Sequence, residues 1–249
     1  MHGMPLSTGA GPCLKQQLGW PVTVRLARPR PSVTRPLAVF TFFKQQKPLK
    51  DVKAEVLRAV ANTARGQKAT PVQRKDILVL LEALEARNPT KRPAQSQLLS
   101  GKWSLLFTGP TEESEFRKTR AGTLEGPFLS RLKPLSANAF RTKGVTQVLD
   151  PMAGRAENLA EFSIANAING SLNILGTVSP PEEASIQASR VDVEFTAFDL
   201  KLGPANITVP LGWIKPKGWI QTTYLDDELR VGRGDKGSIF LAARQKPRA

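Results

Sequence analysis

The stretch LRVGRGDKGSIFLAAR contains G-x-G-x-x-G at Gly232, Gly234 and Gly237. Such a loop cradles a dinucleotide pyrophosphate when a strand enters it, a helix leaves it and an acid stands roughly 20 positions on. Only 12 residues follow Gly237 and none is acidic, so the glycines are read as turn residues between two strands. Paired acids occur at Glu112/Glu113, at Glu182/Glu183 and at Asp226/Asp227/Glu228. Neighbours on a strand point to opposite faces, so adjacent carboxylates do not converge on one substrate and are read as solvated loops. Tyr224 has the chemistry of a general acid, but a single tyrosine ending a strand is read as a packed side chain with one hydrogen bond. No G-x-S-x-G elbow, Walker loop or H-E-x-x-H is present. The expectation is no enzyme, no catalytic residue, no metal and no cofactor.

Charge is distributed unevenly. Residues 1–50 hold eight bases and no acid, whereas the remainder keeps 28 bases against 21 acids. An Arg-rich, acid-free leader sprinkled with Ser and Thr has the composition of an organellar transit peptide, and prolines at 21, 29, 31 and 36 interrupt any long amphipathic helix, which favours plastid over mitochondrion. The rival reading is a disordered basic arm for anionic surfaces. Residues 1–44 are therefore assigned as a disordered transit peptide, with cleavage within 38–46. Its removal takes away His2 and Cys13, the only histidine and cysteine in the sequence. That excludes a Ser-His-Asp triad, a Cys or His nucleophile, Cys/His zinc ligation and a disulfide in the mature chain. Asn169 and Asn206 head Asn-x-Ser/Thr triplets, but neither is read as glycosylated.

Two elements precede everything else, in a helical segment assigned to 45–98. Leu49, Val52, Val56, Leu57, Val60 and Ala64 recur at helical spacing, with Gly66 placed as a C-cap. Thr70-Pro71 then supplies an N-cap and first-turn pair, Ile77, Leu80, Leu81 and Leu84 form a face, and Asn88-Pro89 stops the second helix. From Gly101 the period changes to two, with strands expected over Trp103–Phe107, 144–149, 158–168, 171–178, 185–198, 200–209, 219–224, 229–233 and 238–244. Asn169-Gly170 is the strongest short hairpin signal in the chain. Short turns between consecutive strands imply an antiparallel meander, which closes most readily into a barrel over 99–246. The fold class expected is mainly β, a lipocalin-like antiparallel barrel behind two short α-helices.

Inward positions of a small barrel either fill the lumen or line a pocket for one apolar molecule, and both remain open on periodicity alone. Alternation places Trp103, Leu105, Phe107, Phe162, Ile164, Val191, Val193, Phe195, Val231, Ile239 and Leu241 inside. All but Val191 are candidate ligand-binding residues. Aromatics sit among aliphatics rather than basic residues, which argues against a nucleic-acid partner.

The opening Gly101-Lys102-Trp103 is similar to the G-x-W of lipocalins, and Thr222-Thr223-Tyr224-Leu225-Asp226 to their later T-D-Y turn. Longer stretches, LEARNPTKRPAQSQLLSGKWSLLFTG, GVTQVLD and GWIQTTYLDDELRVGRGDKGSIFLAAR, resemble in this order the plastid lipid-associated proteins, the fibrillins of plastoglobules and thylakoids. The resemblance spans about residues 50–244, with 110–143 matching little. It implies a lipocalin-like barrel, a plastid transit peptide, binding of a fatty acid, quinone, carotenoid or other prenyl lipid, and peripheral contact with plastoglobules or thylakoids, with plastid protein partners. Asp226, Asp227 and Asp235 match acidic family positions and are read as turn formers. Trp103 is expected at the closed end with Arg244 or Arg230 across its ring. The alternative is a coat or scaffold protein of plastid lipid bodies, with a filled barrel and no ligand.

Overall fold

Helix α1 (Leu49–Val60) and helix α2 (Pro71–Glu85) carry their apolar residues at the spacing that makes one face: Val52, Val56 and Val60 on the first, Ile77, Leu81 and Leu84 on the second. The structure, a computed structural model, describes residues 47–111 and 140–246, all within one compact unit. The leader assigned to 1–44 and the acids Glu112 and Glu113 lie outside the described residues. Helix α2 starts on a capping box, in which Thr70 accepts from Gln73 N while the Gln73 side chain accepts from Thr70 N, with Pro71 in the first turn. Among the described residues, no helix is long and apolar enough to cross a membrane.

Among the described residues, nine antiparallel strands follow: β1 (Gly101–Pro110), β2 (Phe140–Asp150), β3 (Arg155–Ile164), β4 (Ile168–Ser179), β5 (Arg190–Leu202), β6 (Ala205–Pro210), β7 (Lys217–Leu225), β8 (Leu229–Gly234) and β9 (Ser238–Arg244). Eight of them close a barrel, because β1 pairs with both β2 and β9 while β4 pairs with β5. β5 is long enough to serve two neighbours: Arg190–Glu194 pair with β7 and Ala197–Leu202 with β6. Strand β6 thus extends the wall beyond the barrel rim instead of entering the ring.

The helices cover the outer wall made by β1, β7, β8 and β9. Their six buried residues pack with Phe107, Tyr224, Leu229, Val231, Ile239 and Leu241 in one cluster. Each such side chain contributes roughly 1.5–3 kcal/mol on burial. Ion pairing reinforces the seam, with Arg233 on β8 holding Glu85 of α2 by two bonds of 2.7 and 3.2 Å and Thr223 Oγ1 donating to the same carboxylate at 2.6 Å. That contact raises the Arg233 pKa above its ordinary value.

Three sequence expectations need correction. The first helix ends at Val60, not at Gly66, because Ala61 has extended ψ and the chain then turns repeatedly through Asn62, Ala64 and Arg65 at positive φ. Gly66 is not a cap. It lies at φ +90°, where an added Cβ would sit 2.2 Å from the Thr108 carbonyl oxygen. Gly66→Ala should therefore cost on the order of 1–3 kcal/mol, read as a lower midpoint in urea unfolding. The β3–β4 hairpin turns at Ala165–Ala167, four residues before the Asn-Gly pair, with Ala165 and Asn166 at positive φ. Gly170 is a strand residue whose missing side chain leaves room for the Phe162 ring, 2.6 Å from a would-be Cβ, and for the Lys201 carbonyl at 2.7 Å. Finally, the break between β5 and β6 falls at Gly203-Pro204, and residues 185–189 form turns before β5.

The glycines of G-x-G-x-x-G serve the β8–β9 hairpin. Gly237 takes φ +71° in its turn and donates to Gly234 O at 3.2 Å, and Gly232 lies under the Phe240 ring.

Candidate functional site

One end of the barrel is sealed. Two 3-10 turns, Pro93–Gln95 and Gln97–Leu99, lead into β1, and the Trp103 indole donates back to Leu99 O at 3.0 Å. Trp103 is 1% exposed and packs with Ala94 and Leu99 of the two turns and with Leu149, Ala156, Val178, Val191 and Leu225, which stand at this end of their strands. Arg244, directly opposite Trp103 in the β1–β9 ladder, lays its guanidinium 4.3 Å from the ring centroid. All three of its nitrogens are bonded to backbone carbonyls: Nε to Asp227 O at 2.9 Å, Nη1 to Ser100 O at 3.0 Å and Nη2 to Leu98 O. Gly101 makes this possible, since a Cβ there would stand 2.6 Å from Nη1. Arg230 lies 5.4 Å from the same Trp103 ring.

The lumen above this plug is hollow. A cavity of about 320 Å³ runs from Trp103 and Arg230 to a mouth at Pro216–Trp219 and Gly234–Lys236. That volume lies at the low end of ordinary small-molecule pockets, roughly 300–1,000 Å³. Its walls are apolar: Leu105, Val145, Leu172, Ile174, Phe195 and Phe240 among them. Gln147 and Asn158 form a polar ledge, with Gln147 Nε2 donating to Asn158 Oδ1 at 2.8 Å.

Of the residues expected inside from alternation, Trp103, Leu105, Val193 and Phe195 line this cavity. Phe162 and Ile164 sit further along the long strands, packing with Leu172, Phe198, Leu200 and Leu202. Phe107, Val231, Ile239 and Leu241 are corrections: they belong to the outer-wall cluster under the helices. Two physical causes combine. A bulge between Leu105 and Phe107 reverses the facing of β1, so that Thr108 points inward. On β8 and β9 the outer face is covered by α1 and α2, so the more apolar set faces out while Arg230, Gly234, Ser238, Phe240 and Ala242 face the lumen. Sequence reasoning therefore missed Gln147, Asn158, Phe240 and Trp219. A hint was available in the helices' own apolar stripes, which require an equally apolar outer wall.

The PAP_fibrillin family model matches residues 50–243, which is most of the barrel and both helices. This chain belongs to the PAP_fibrillin family. Its relatives include the probable plastid-lipid-associated protein 12, chloroplastic, of Arabidopsis thaliana, 28% identical over 81% of this chain and 46% of that protein. Plastoglobulin-1, chloroplastic, of Pisum sativum is 27% identical over 79% of this chain and 62% of its own length. The chromoplast-specific carotenoid-associated protein, chromoplastic, of Cucumis sativus is 24% identical over 81% of this chain and 71% of its own. This fibrillin chain thus spans about half of the Arabidopsis relative and less than two thirds of the pea one. No solved structure matches it.

At the closed end of this fibrillin, Asp226 is a structural hub. Its Oδ1 accepts from Glu228 N at 2.8 Å and Leu229 N at 2.7 Å, which forms the β7–β8 turn. Its Oδ2 accepts from Tyr224 Oη at 2.6 Å and Lys53 Nζ at 2.9 Å, which ties helix α1 to that turn. Burial pushes the Asp226 carboxyl up, but Lys53, Tyr224 and the two backbone N–H groups outweigh it and hold it below its ordinary value. Burial and the Asp226 bond push the Tyr224 phenol far up, so it stays a neutral donor. Asp227 contributes its carbonyl to Arg244, and Asp235 lies at the mouth beside Gly218.

Proposed function

We propose that this fibrillin is a plastid lipid-associated protein that holds one hydrophobic metabolite in its barrel lumen and touches plastoglobule or thylakoid surfaces with its mouth end. The observation that carries the reading is the hollow, apolar lumen of about 320 Å³ in a member of this family. Relatives named for plastid lipids, plastoglobules and carotenoids support the compartment and the lipid association. An acid-free basic leader supports a transit peptide over 1–44. The protein acts by binding and presenting lipid rather than by catalysis.

The mouth end has the surface such a role requires. Trp213 (81% exposed), Ile214, Ile207 and Ile168 project on the loops and strands beyond the rim, with Lys201, Lys215 and Lys217 nearby in sequence. Exposed tryptophan and lysine together suit an interface of apolar lipid and anionic headgroups. The apolar face of Phe162, Ile164, Leu200 and Leu202 is positioned to lead from that surface towards the lumen. A coat protein with a filled barrel is the alternative, and the open lumen weighs against it.

Titrating the delipidated full chain with fatty acids of eight to eighteen carbons, followed by tryptophan fluorescence, tests the lumen. Trp103 and Trp219 line it. Burial of each CH₂ contributes about 0.8 kcal/mol, roughly fourfold in affinity, until the lumen is full. A rise with chain length that then levels off is expected. Equal response to every length, or none, overturns the reading.

A further inference from the structure

Arg230 is the least satisfied polar group in the lumen. It projects from β8 into the cavity, is 1% exposed, and lies between the Trp103 ring at 5.4 Å and the Phe240 ring at 5.0 Å. Its Nη2 donates to Gln147 Oε1, and Nε and Nη1 have no acceptor. Arg244, two ladder positions from it, has an acceptor for every nitrogen. The contrast separates a structural arginine from one whose partner is missing. Among the described residues lining the lumen, the only carboxylate is Asp235, at the mouth and roughly 15 Å up the strand by residue rise.

A guanidinium buried without a counter-charge costs several kcal/mol, and an apolar residue of similar volume would remove that cost. Burial, and next the nearby Arg244 charge, push its pKa well below the ordinary arginine range, the same penalty seen as a titration. Gln147 is held in place by Asn158, with its amide oxygen turned to Arg230. A ligand headgroup reaching the closed end meets positive charge there and, once the guanidinium turns out from between the Trp103 and Phe240 rings, two N–H groups that have no acceptor, with apolar walls between it and the mouth.

We propose that the lumen takes a long-chain carboxylate head-first, its carboxylate accepting from Arg230 at the closed end and its chain lying along Leu105, Leu172, Ile174 and Phe240 towards the mouth. This rests on the lumen being the lipid site, and narrows its occupant to an anionic single-chain lipid in preference to a neutral hydrocarbon or alcohol. A charged hydrogen bond in a water-poor cavity is the interaction that decides between otherwise equal chains.

The test compares hexadecanoic acid with hexadecan-1-ol, equal in chain length, on the delipidated full chain by calorimetry at pH 8. The acid should bind at least tenfold more tightly to the unaltered protein. Arg230→Met should abolish that preference, keep affinity for the alcohol within about threefold, and leave the melting temperature equal or higher. Arg230→Lys, which keeps the charge, should retain part of the preference. Equal affinity of acid and alcohol in the unaltered protein overturns the headgroup assignment while leaving the lumen as a lipid site. A preference that survives in Arg230→Met overturns it too. Binding of neither probe removes both readings. If Arg230→Met does not fold, the acid-to-alcohol ratio of the unaltered protein and of Arg230→Lys decides.

Discussion

Phe107→Ala should destabilise the protein by about 3–5 kcal/mol and leave lipid affinity within twofold. Phe107 is fully buried, but in the seam between the barrel's outer wall and the helices, in one cluster with Val56, Ile77 and Leu81. Truncation removes the transfer free energy of a ring and leaves a void that two packed helices can only partly close. The lumen is on the other face of β1, since the bulge after Leu105 separates the two. Urea unfolding gives the first number and fatty-acid titration the second. A large loss of affinity in a variant that is still folded at the temperature of the titration would put Phe107 in the lumen after all, and would reverse the facing assigned to this half of β1.

The second large effect is expected at Asp226. Asp226→Ala deletes acceptors for Lys53, Tyr224 and two backbone N–H groups at once, at a cost of about 2–4 kcal/mol once solvent replaces part of what is lost. The pH dependence follows from the depressed carboxyl. Its contribution is fully present above the ordinary value of 3.8 and is lost as pH falls through the lower folded value, because the unfolded chain takes up the proton first. Lys53 works at the other limb: its raised pKa contributes stability below 10.5 that disappears at higher pH. Asp226→Asn keeps an acceptor for the turn and loses the charge. It should therefore cost less than Ala and flatten the acid limb of a stability profile measured between pH 2 and pH 6. An unchanged acid limb in the Asn variant would show that other carboxylates govern it.

Much of the fold was legible because each period is imposed by backbone geometry. Val52, Val56 and Val60 could only share a face on a helix, and the change to alternation at Gly101 could only begin a strand. Thr70-Pro71 announced a capped helix start, and the structure adds the reciprocal bonds with Gln73 that complete a capping box. The hairpin at Asn169-Gly170 was misplaced for a specific reason. Glycine serves two ends, positive φ and empty space, and residue type does not say which; here the Phe162 ring and the Lys201 carbonyl needed the space. Ala165 and Asn166 took the positive φ without a glycine.

The candidate site was read less well. Trp103 with a late-strand arginine across it was visible as a pairing of types, and the structure puts both Arg230 and Arg244 near the ring. Nothing in the residue order distinguishes the two. Arg244 is saturated by carbonyls of segments far away in sequence, Leu98 and Ser100, whereas Arg230 faces a cavity.

By itself the sequence determined the order of elements, the strand-rich meander behind two helices, the family, and the acid-free leader. These depend on local geometry and composition. Tertiary structure alone decided which face of each strand looks inward, because β8 and β9 carry usable side chains on both faces and only the docking of α1 and α2 consumes one of them. It also decided that the lumen is hollow and that a buried arginine at its floor lacks an anion, since the space left between eight strands is a property of how they close.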